Sequence, residues 1–124
     1  MMRKKTMRQI RFKAKRLDNG EWVEGLPIIY KVDGSYMWRE CREPVRIDPN
    51  TLCQFTGLKD KDGKEIWEHD LVIDGYNKAL REVIYSEGAF WTSVNGEVRT
   101  DPLLVYYEEK LEVIGNKFDK EEKK

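Results

Sequence analysis

The chain has 124 residues and a mass of about 14.8 kDa, with 40% hydrophobic, 11% aromatic and 37% charged residues. That length fits one domain, or two very small halves sharing a core. Its aromatics exclude a fully disordered chain, although the charged fraction exceeds the usual ~25%. Twenty-three basic residues balance twenty-three acidic ones, so no overall field marks a nucleic-acid or membrane partner.

Taken in chain order, Ile10, Phe12 and Ala14 alternate with Arg11, Lys13 and Lys15, which predicts a half-buried strand. Asp18-Asn19-Gly20 predicts a turn, and Glu21 to Glu24 the return strand of a hairpin. Asp33-Gly34 marks a second turn before the aromatic strand Tyr36 to Trp38, and Pro44 to Pro49 reads as an extended connection. In the second half, Asp70 to Ile73 predicts a strand ending near Asp74-Gly75. Arg81 to Tyr85 predicts the next, with Val83 and Tyr85 on one face. Ser86-Glu87-Gly88 turns the chain into Ala89 to Val94. Asn95-Gly96 suits a type I′ turn before a return over 97–100, and Leu111 to Ile114 forms the last strand. Leu104, Tyr107 and Leu111 share a helical face, so 103–111 is the one predicted helical stretch. The tail from Asp119 to Lys124 is wholly charged and expected to fray. Short strands with turns every 8–12 residues predict a small barrel or sandwich.

The longest apolar run, Leu103 to Val105 with Tyr106 and Tyr107, is far shorter than a ~20-residue membrane helix. The basic N-terminus lacks the continuous apolar core of a secretory signal. Cys41 and Cys53 are too few for a disulfide framework. With the single histidine His69, they also lack the paired spacing of a zinc site. A cytoplasmic protein with buried or neutral thiols and no membrane partner is expected.

Residues 48 to 74 carry the most specific pattern. Ile47-Asp48-Pro49 and Thr51 lead into Gln54-Phe55-Thr56-Gly57-Leu58-Lys59-Asp60, then Asp62-Gly63-Lys64, Ile66-Trp67-Glu68 and Asp70-Leu71-Val72. Gly57 and Gly63 bracket a charged loop with Asp62-Gly63 as its turn. Glu68 and Asp70 sit at the mouth of the next strand, where carboxylates accept backbone N–H bonds. This stretch closely resembles the YopX-like family of small phage and prophage proteins. Met7 to Ala14 is similar to that family's opening, and Glu112-Val113-Ile114-Gly115-Asn116 to its closing motif.

The resemblance implies a mainly β fold with minor α: an irregular N-terminal β half, residues 7–56, packed on a C-terminal SH3-like small barrel, residues 57–116. Residues 117–124 form a charged tail. Residues 1–6 precede the family's usual start, which makes them an expected disordered extension and Met7 a candidate initiator. His69 stands where the family usually has glycine, so this position is expected not to need a positive φ. The resemblance implies no catalytic residue, cofactor or metal. Its motif loop of Thr56, Gly57, Asp60, Gly63, Glu68 and Asp70 is either a binding surface or a rigid joint.

Read as an EF-hand around Gly63, the acidic loop has Asp60 and Asp62 in place, but Leu58 and His69 occupy the first and twelfth positions. It is therefore a turn. Glu65, Glu68, Asp70 and Asp74 could gather around Mg²⁺ for phosphodiester cleavage, with Glu68 and Asp70 on one side of an extended segment. The competing reading is a solvated strand entrance. His69 is read as an exposed loop histidine rather than a base.

Residues 1–17 hold eight basic residues and no acid, which leaves fifteen basic and twenty-three acidic residues in the rest. Arg8, Arg11, Lys13 and Lys15 could follow a phosphate backbone, with Trp91 as a stacking platform. Alternatively the row is a charged outer strand that discourages edge pairing. Phe90 and Trp91 are adjacent on a strand and cannot enter one core, and Tyr106 and Tyr107 pose the same question. The leading expectation is a phage or prophage accessory protein that works by binding, to a protein partner or to itself as a homo-oligomer. A nucleic-acid-binding module is the alternative, and a metal-dependent nuclease using Glu68 and Asp70 the third.

Overall fold

The structure, a computed structural model, describes residues 10–30, 34–76, 78–94, 101–102 and 110–119. The expected extension over 1–6, Met7, Arg8, the Asn95-Gly96 turn, the return over 97–100, Tyr106, Tyr107 and the body of the 103–111 helix lie outside these residues. So does the tail beyond Asp119. The fold is mainly β, and no helix occurs among the described residues.

Among the described residues ten strands run in order: β1 (Phe12–Arg16), β2 (Trp22–Tyr30), β3 (Gly34–Trp38), β4 (Val45–Lys59), β5 (Glu65–Trp67), β6 (Asp70–Asp74), β7 (Leu80–Ser86), β8 (Ala89–Ser93), β9 (Asp101–Pro102) and β10 (Leu111–Asn116). They form two five-stranded antiparallel sheets, ordered β1-β2-β3-β4-β5 and β10-β6-β7-β8-β9. β4 also pairs with β1, so the circuit β1-β2-β3-β4 closes on itself. This ring lies in the first half, the part expected to be irregular. In the second half the described pairings run as an open series from β10 to β9, and an SH3-like closure is not among them. The junction expected between Thr56 and Gly57 falls inside β4, so the halves are continuous through one 15-residue strand.

Local chemistry explains the ring. The first hairpin turns on Gly20 at φ 75°, with Arg16 N–H donating to Glu21 O at 2.8 Å and Asn19 Oδ1 accepting from Glu21 N–H at 2.9 Å. Ala14, Val23, Met37 and Ile47 point inward as one core, flanked by Val45 and Leu52. The segment through Pro49, read as a connection, is instead part of β4. Its ladder with β1 jumps between Lys13↔Cys53 and Lys15↔Asp48, because proline has no N–H to contribute there. Thr51 fills the gap. Its Oγ1 accepts from Lys15 N–H at 2.8 Å and donates to Asp48 O at 2.7 Å.

The second core gathers Ile66, Val72, Val83 and Leu111, with Leu58, Phe90 and Val113 packed against it. Leu58 and Ile66 belong to the first sheet by pairing and to this core by packing. Glu87 and Gly88, both at positive φ, make the two-residue turn of the β7–β8 hairpin. Phe90 goes to the core. Trp91, on the opposite face, donates Nε1–H to Ser86 O at 3.0 Å.

Gly25 marks the tightest approach between β2 and β3. A Cβ there would stand 2.3 Å from Trp38 O and 2.7 Å from Met37 Cγ. Gly25→Ala is expected to destabilise the fold by roughly 1–3 kcal/mol through overpacking, measured as a lower thermal midpoint. An unchanged midpoint would show that the two strands part without cost.

Candidate functional site

The motif loop between β4 and β5 is a joint built around one carboxylate. Asp60 Oδ1 accepts from Asp62 N–H and Lys64 N–H, both at 2.8 Å, and Oδ2 accepts from Val113 N–H on β10 at 2.9 Å. Burial works against the charged form, but these three bonds outweigh it and hold the carboxyl below its ordinary value. Thr56 Oγ1 donates to Ile66 O at 2.6 Å and accepts from Leu58 N–H. Gly57 and Gly63 lie at φ 89° and 86°, the left-handed region that glycine enters at no steric cost.

A second joint follows at Glu68-His69-Asp70, where the chain crosses from one sheet to the other. Asp70 is buried, and its oxygens accept from Trp67 N–H at 2.7 Å and Asn116 Nδ2 at 2.9 Å. Asn116 Nδ2 also reaches Glu68 O at 3.3 Å, while Glu68 Oε1 accepts from Gln54 N–H at 3.1 Å. Burial pushes the carboxyls of both Asp70 and Glu68 up from their ordinary values. The expectation for His69 is corrected: its φ is 70°, so the position does need the left-handed conformation. The ring is also half-buried rather than exposed, held between Glu82 and Glu68.

Cys53 lies buried beside Asn116, with its thiol pushed up to about 12 by burial, whereas Cys41 is exposed. The four carboxylates considered for Mg²⁺ have different partners. Glu65 pairs with Arg11, Glu68 with Gln54 N–H and His69, Asp70 with Trp67 N–H and Asn116, and Asp74 with Arg81 and Tyr76 N–H. Among the described residues no three His, Cys, Asp or Glu side chains form a metal-holding group. No helix among them is long and apolar enough to cross a membrane.

The basic row of β1 is present, but its charges are engaged. Arg11 forms ion pairs with Glu65 and Glu24, and those hydrogen bonds raise its pKa further. Its guanidinium also lies 4.9 Å from the centre of the Phe55 ring and 5.2 Å from that of Trp67. Lys13 Nζ sits 4.5 Å from Trp22 and 4.6 Å from Trp67, and Lys15 Nζ 4.6 Å from Trp22. The aromatic partners of this row are therefore Trp22, Trp67 and Phe55. Trp91 belongs to β8 in the other sheet, and Arg8 lies outside the described residues. The hairpin register, which sets Lys15 opposite Trp22, is the signal that could have identified Trp22.

Sequence reasoning missed a cleft of about 310 Å³ between Ile10 and the β2–β3 hairpin. Leu26 and Trp38 are cross-strand partners, yet they are 54% and 45% exposed, and Ile10 is 62% exposed. Glu24, Arg39 and Glu40 complete the rim. Arg39 Nε–H is buried without an acceptor among the described residues. A return strand read over Glu21 to Glu24 stops short of Leu26, the exposed β2 residue that lines the cleft.

Two predictions follow from the joints. Because the Asp60 carboxyl is depressed in the fold, its stabilisation is present above the ordinary value of 3.8 and is lost as pH falls through the folded value. Asp60→Asn should therefore cost about 1–3 kcal/mol at pH 7 through unsatisfied donors. In denaturant titrations its gap from the parent should close below about pH 3.8. Because φ is positive at residue 69, His69→Gly should be more stable than His69→Ala by about 1 kcal/mol, measured by the same titrations.

The comparisons with known proteins agree with this geometry. The model of the YopX protein family matches residues 10–123. No curated protein matches the chain. Among solved structures, the crystal structure of protein EF1440 from Enterococcus faecalis is similar in fold, with a TM-score of 0.55 and 22% identity over 87% of this chain and 92% of that one. The motif from Asp48 to Val72 thus sits inside a family match that spans both sheets, and the chain belongs to the YopX family.

Proposed function

We propose that the protein is a binding module rather than an enzyme, and that its partner is another polypeptide received at the Ile10–Leu26–Trp38 cleft. The observation that carries this reading is the exposure of a tryptophan and two large aliphatic residues around one concavity, rimmed by charges of both signs. Trp and Arg are the side-chain types that dominate protein interfaces, with an apolar centre and a polar rim. Glu24, Arg39 and Glu40 on the rim suit a partner segment that bears an apolar side chain flanked by charged or polar groups. The basic row supports a nucleic-acid surface less well, since Arg11 is matched by two carboxylates and the lysine heads rest on indoles. The family resemblance points to a phage or prophage accessory role in the bacterial cytoplasm.

The test compares the parent with Leu26→Ser/Trp38→Ser in pull-downs from a bacterial host lysate, with thermal midpoints as a folding control. A captured protein should bind the double variant at least about tenfold more weakly, since two interface anchors are lost. Capture unaffected by the variant would overturn the assignment of the cleft. Concentration-dependent mass in light scattering that the variant abolishes would replace the partner by a second copy. Steeply salt-dependent oligonucleotide binding, lost in Lys13→Glu/Lys15→Glu, would replace it by a nucleic acid.

A further inference from the structure

A second cavity, of about 420 Å³, shares no lining residue with the Ile10–Leu26–Trp38 cleft. Both sheets wall it. The first supplies Lys13 of β1, Trp22 of β2 and Trp67 of β5, and the second supplies Val113 and Gly115 of β10. Buried Asp70 and Asn116 also line it, and Lys64, Glu65 and Asp119 complete the lining. Such a size, with aromatic walls and a few polar groups, is that of small-molecule sites, which span ~300–1,000 Å³.

The charges around this cavity are unequally matched. Glu65 is ion-paired with Arg11. Asp119 accepts from Trp22 Nε1–H at 3.0 Å and from Asn116 N–H at 2.9 Å. Asp70 accepts from the backbone N–H of Trp67 and from Asn116 Nδ2. Each carboxylate thus has donors of its own. The two ammonium groups lack acceptors: among the described residues neither Lys13 nor Lys64 makes a side-chain hydrogen bond or ion pair. They bear on Asp70 and Asp60 only through space. The charge left unmatched at the cavity is therefore positive.

Lys13 is also held in place. Its Nζ rests over two ring faces, 4.5 Å from the centre of Trp22 and 4.6 Å from that of Trp67. A primary ammonium has three N–H bonds, so two rings leave it a donor. A long side chain already ordered by its aromatic neighbours loses little freedom when something binds to it.

We propose that this cavity binds a small organic anion, a carboxylate or phosphate monoester carried on a flat apolar ring. The anion pairs with Lys13 and Lys64, and the ring lies against Trp22, Trp67 and Val113. The site is separate from the polypeptide cleft and does not depend on it. Because its walls come from both sheets, the bound molecule touches both and stabilises their junction by mass action.

The experiment titrates the full chain with phenyl phosphate, inorganic phosphate and benzylamine, following the indole N–H resonances of Trp22 and Trp67 by NMR. Phenyl phosphate is expected to shift both, with a Kd of about 1 mM or tighter. It should bind at least about tenfold more tightly than inorganic phosphate, which lacks the ring, or benzylamine, which reverses the charge. Lys13→Met keeps the stem and removes the charge, and should weaken phenyl phosphate at least about tenfold. Leu26→Ser/Trp38→Ser should bind it as the parent does. Undiminished binding in Lys13→Met, equal binding of benzylamine or inorganic phosphate, or no shift at either indole would overturn the site. Loss of binding in Leu26→Ser/Trp38→Ser would move the anion to the cleft and overturn it too. Should Lys13→Met not fold, undiminished binding in Lys64→Glu, on an exposed side chain, decides against the proposal.

Discussion

One buried amide group holds the two sheets in register. Asn116 Nδ2 donates to the Asp70 carboxylate that begins β6 and to the Glu68 carbonyl just after β5, and it lies beside the Cys53 thiol of β4. Its Oδ1 accepts from Phe118 N–H, and its own N–H donates to Asp119. Asn116 and Asp70 are buried, where either would be costly to leave unpaired, so each bond between them and the Glu68 carbonyl supports the others. Trp67, Phe55 and Cys53 pack around it as a third small core, with Trp22 and Phe118 at its margin. The outer face of the first sheet thereby becomes an inner surface of the molecule.

This arrangement explains why the basic row of β1 is not the free polyanion surface that its charge pattern suggests. Lys13 and Lys15 lie on the same side of the strand as the aromatic layer, so their stems pack along indoles and their heads rest over the rings. Arg11, one turn of the alternation earlier, meets Glu24 across the hairpin and Glu65 across β4. Two rules of local electrostatics, cross-strand pairing and cation–π contact, outweigh the simple count of charges.

Strand positions were largely legible because alternation and turn residues act locally: Asp18 to Gly20, Glu87-Gly88 and the Asp70 to Ile73 run all fall where their chemistry places them. The motif loop could be read as a turn for the same reason. What could not be read was non-local. Pro49 suggests an interruption, yet Thr51 supplies the missing hydrogen bonds and β4 continues. A histidine in the glycine position suggests a relaxed backbone, yet the bonds to Val83 and Lys117 keep it left-handed. Asp119 looked like the start of a fraying tail, yet it accepts the indole N–H of Trp22 at 3.0 Å. The apolar cleft depends on which residues of a nine-residue strand lose their cover, and periodicity alone does not carry that information.

The Trp22–Asp119 bond also bears on how the molecule comes into being. Its two residues are 97 positions apart, and Asn116 meets Cys53 across 63. The ring of β1 to β4 needs nothing beyond residue 59, so it can assemble while later residues are still on the ribosome. Its aromatic outer face must then wait, uncovered, until the segment around Asn116 to Asp119 has been made. Contacts of such long sequence separation are slow to form. A chain that ends at residue 59 would carry the strands of the ring but none of the contacts from Asn116 to Asp119 that cover its aromatic face.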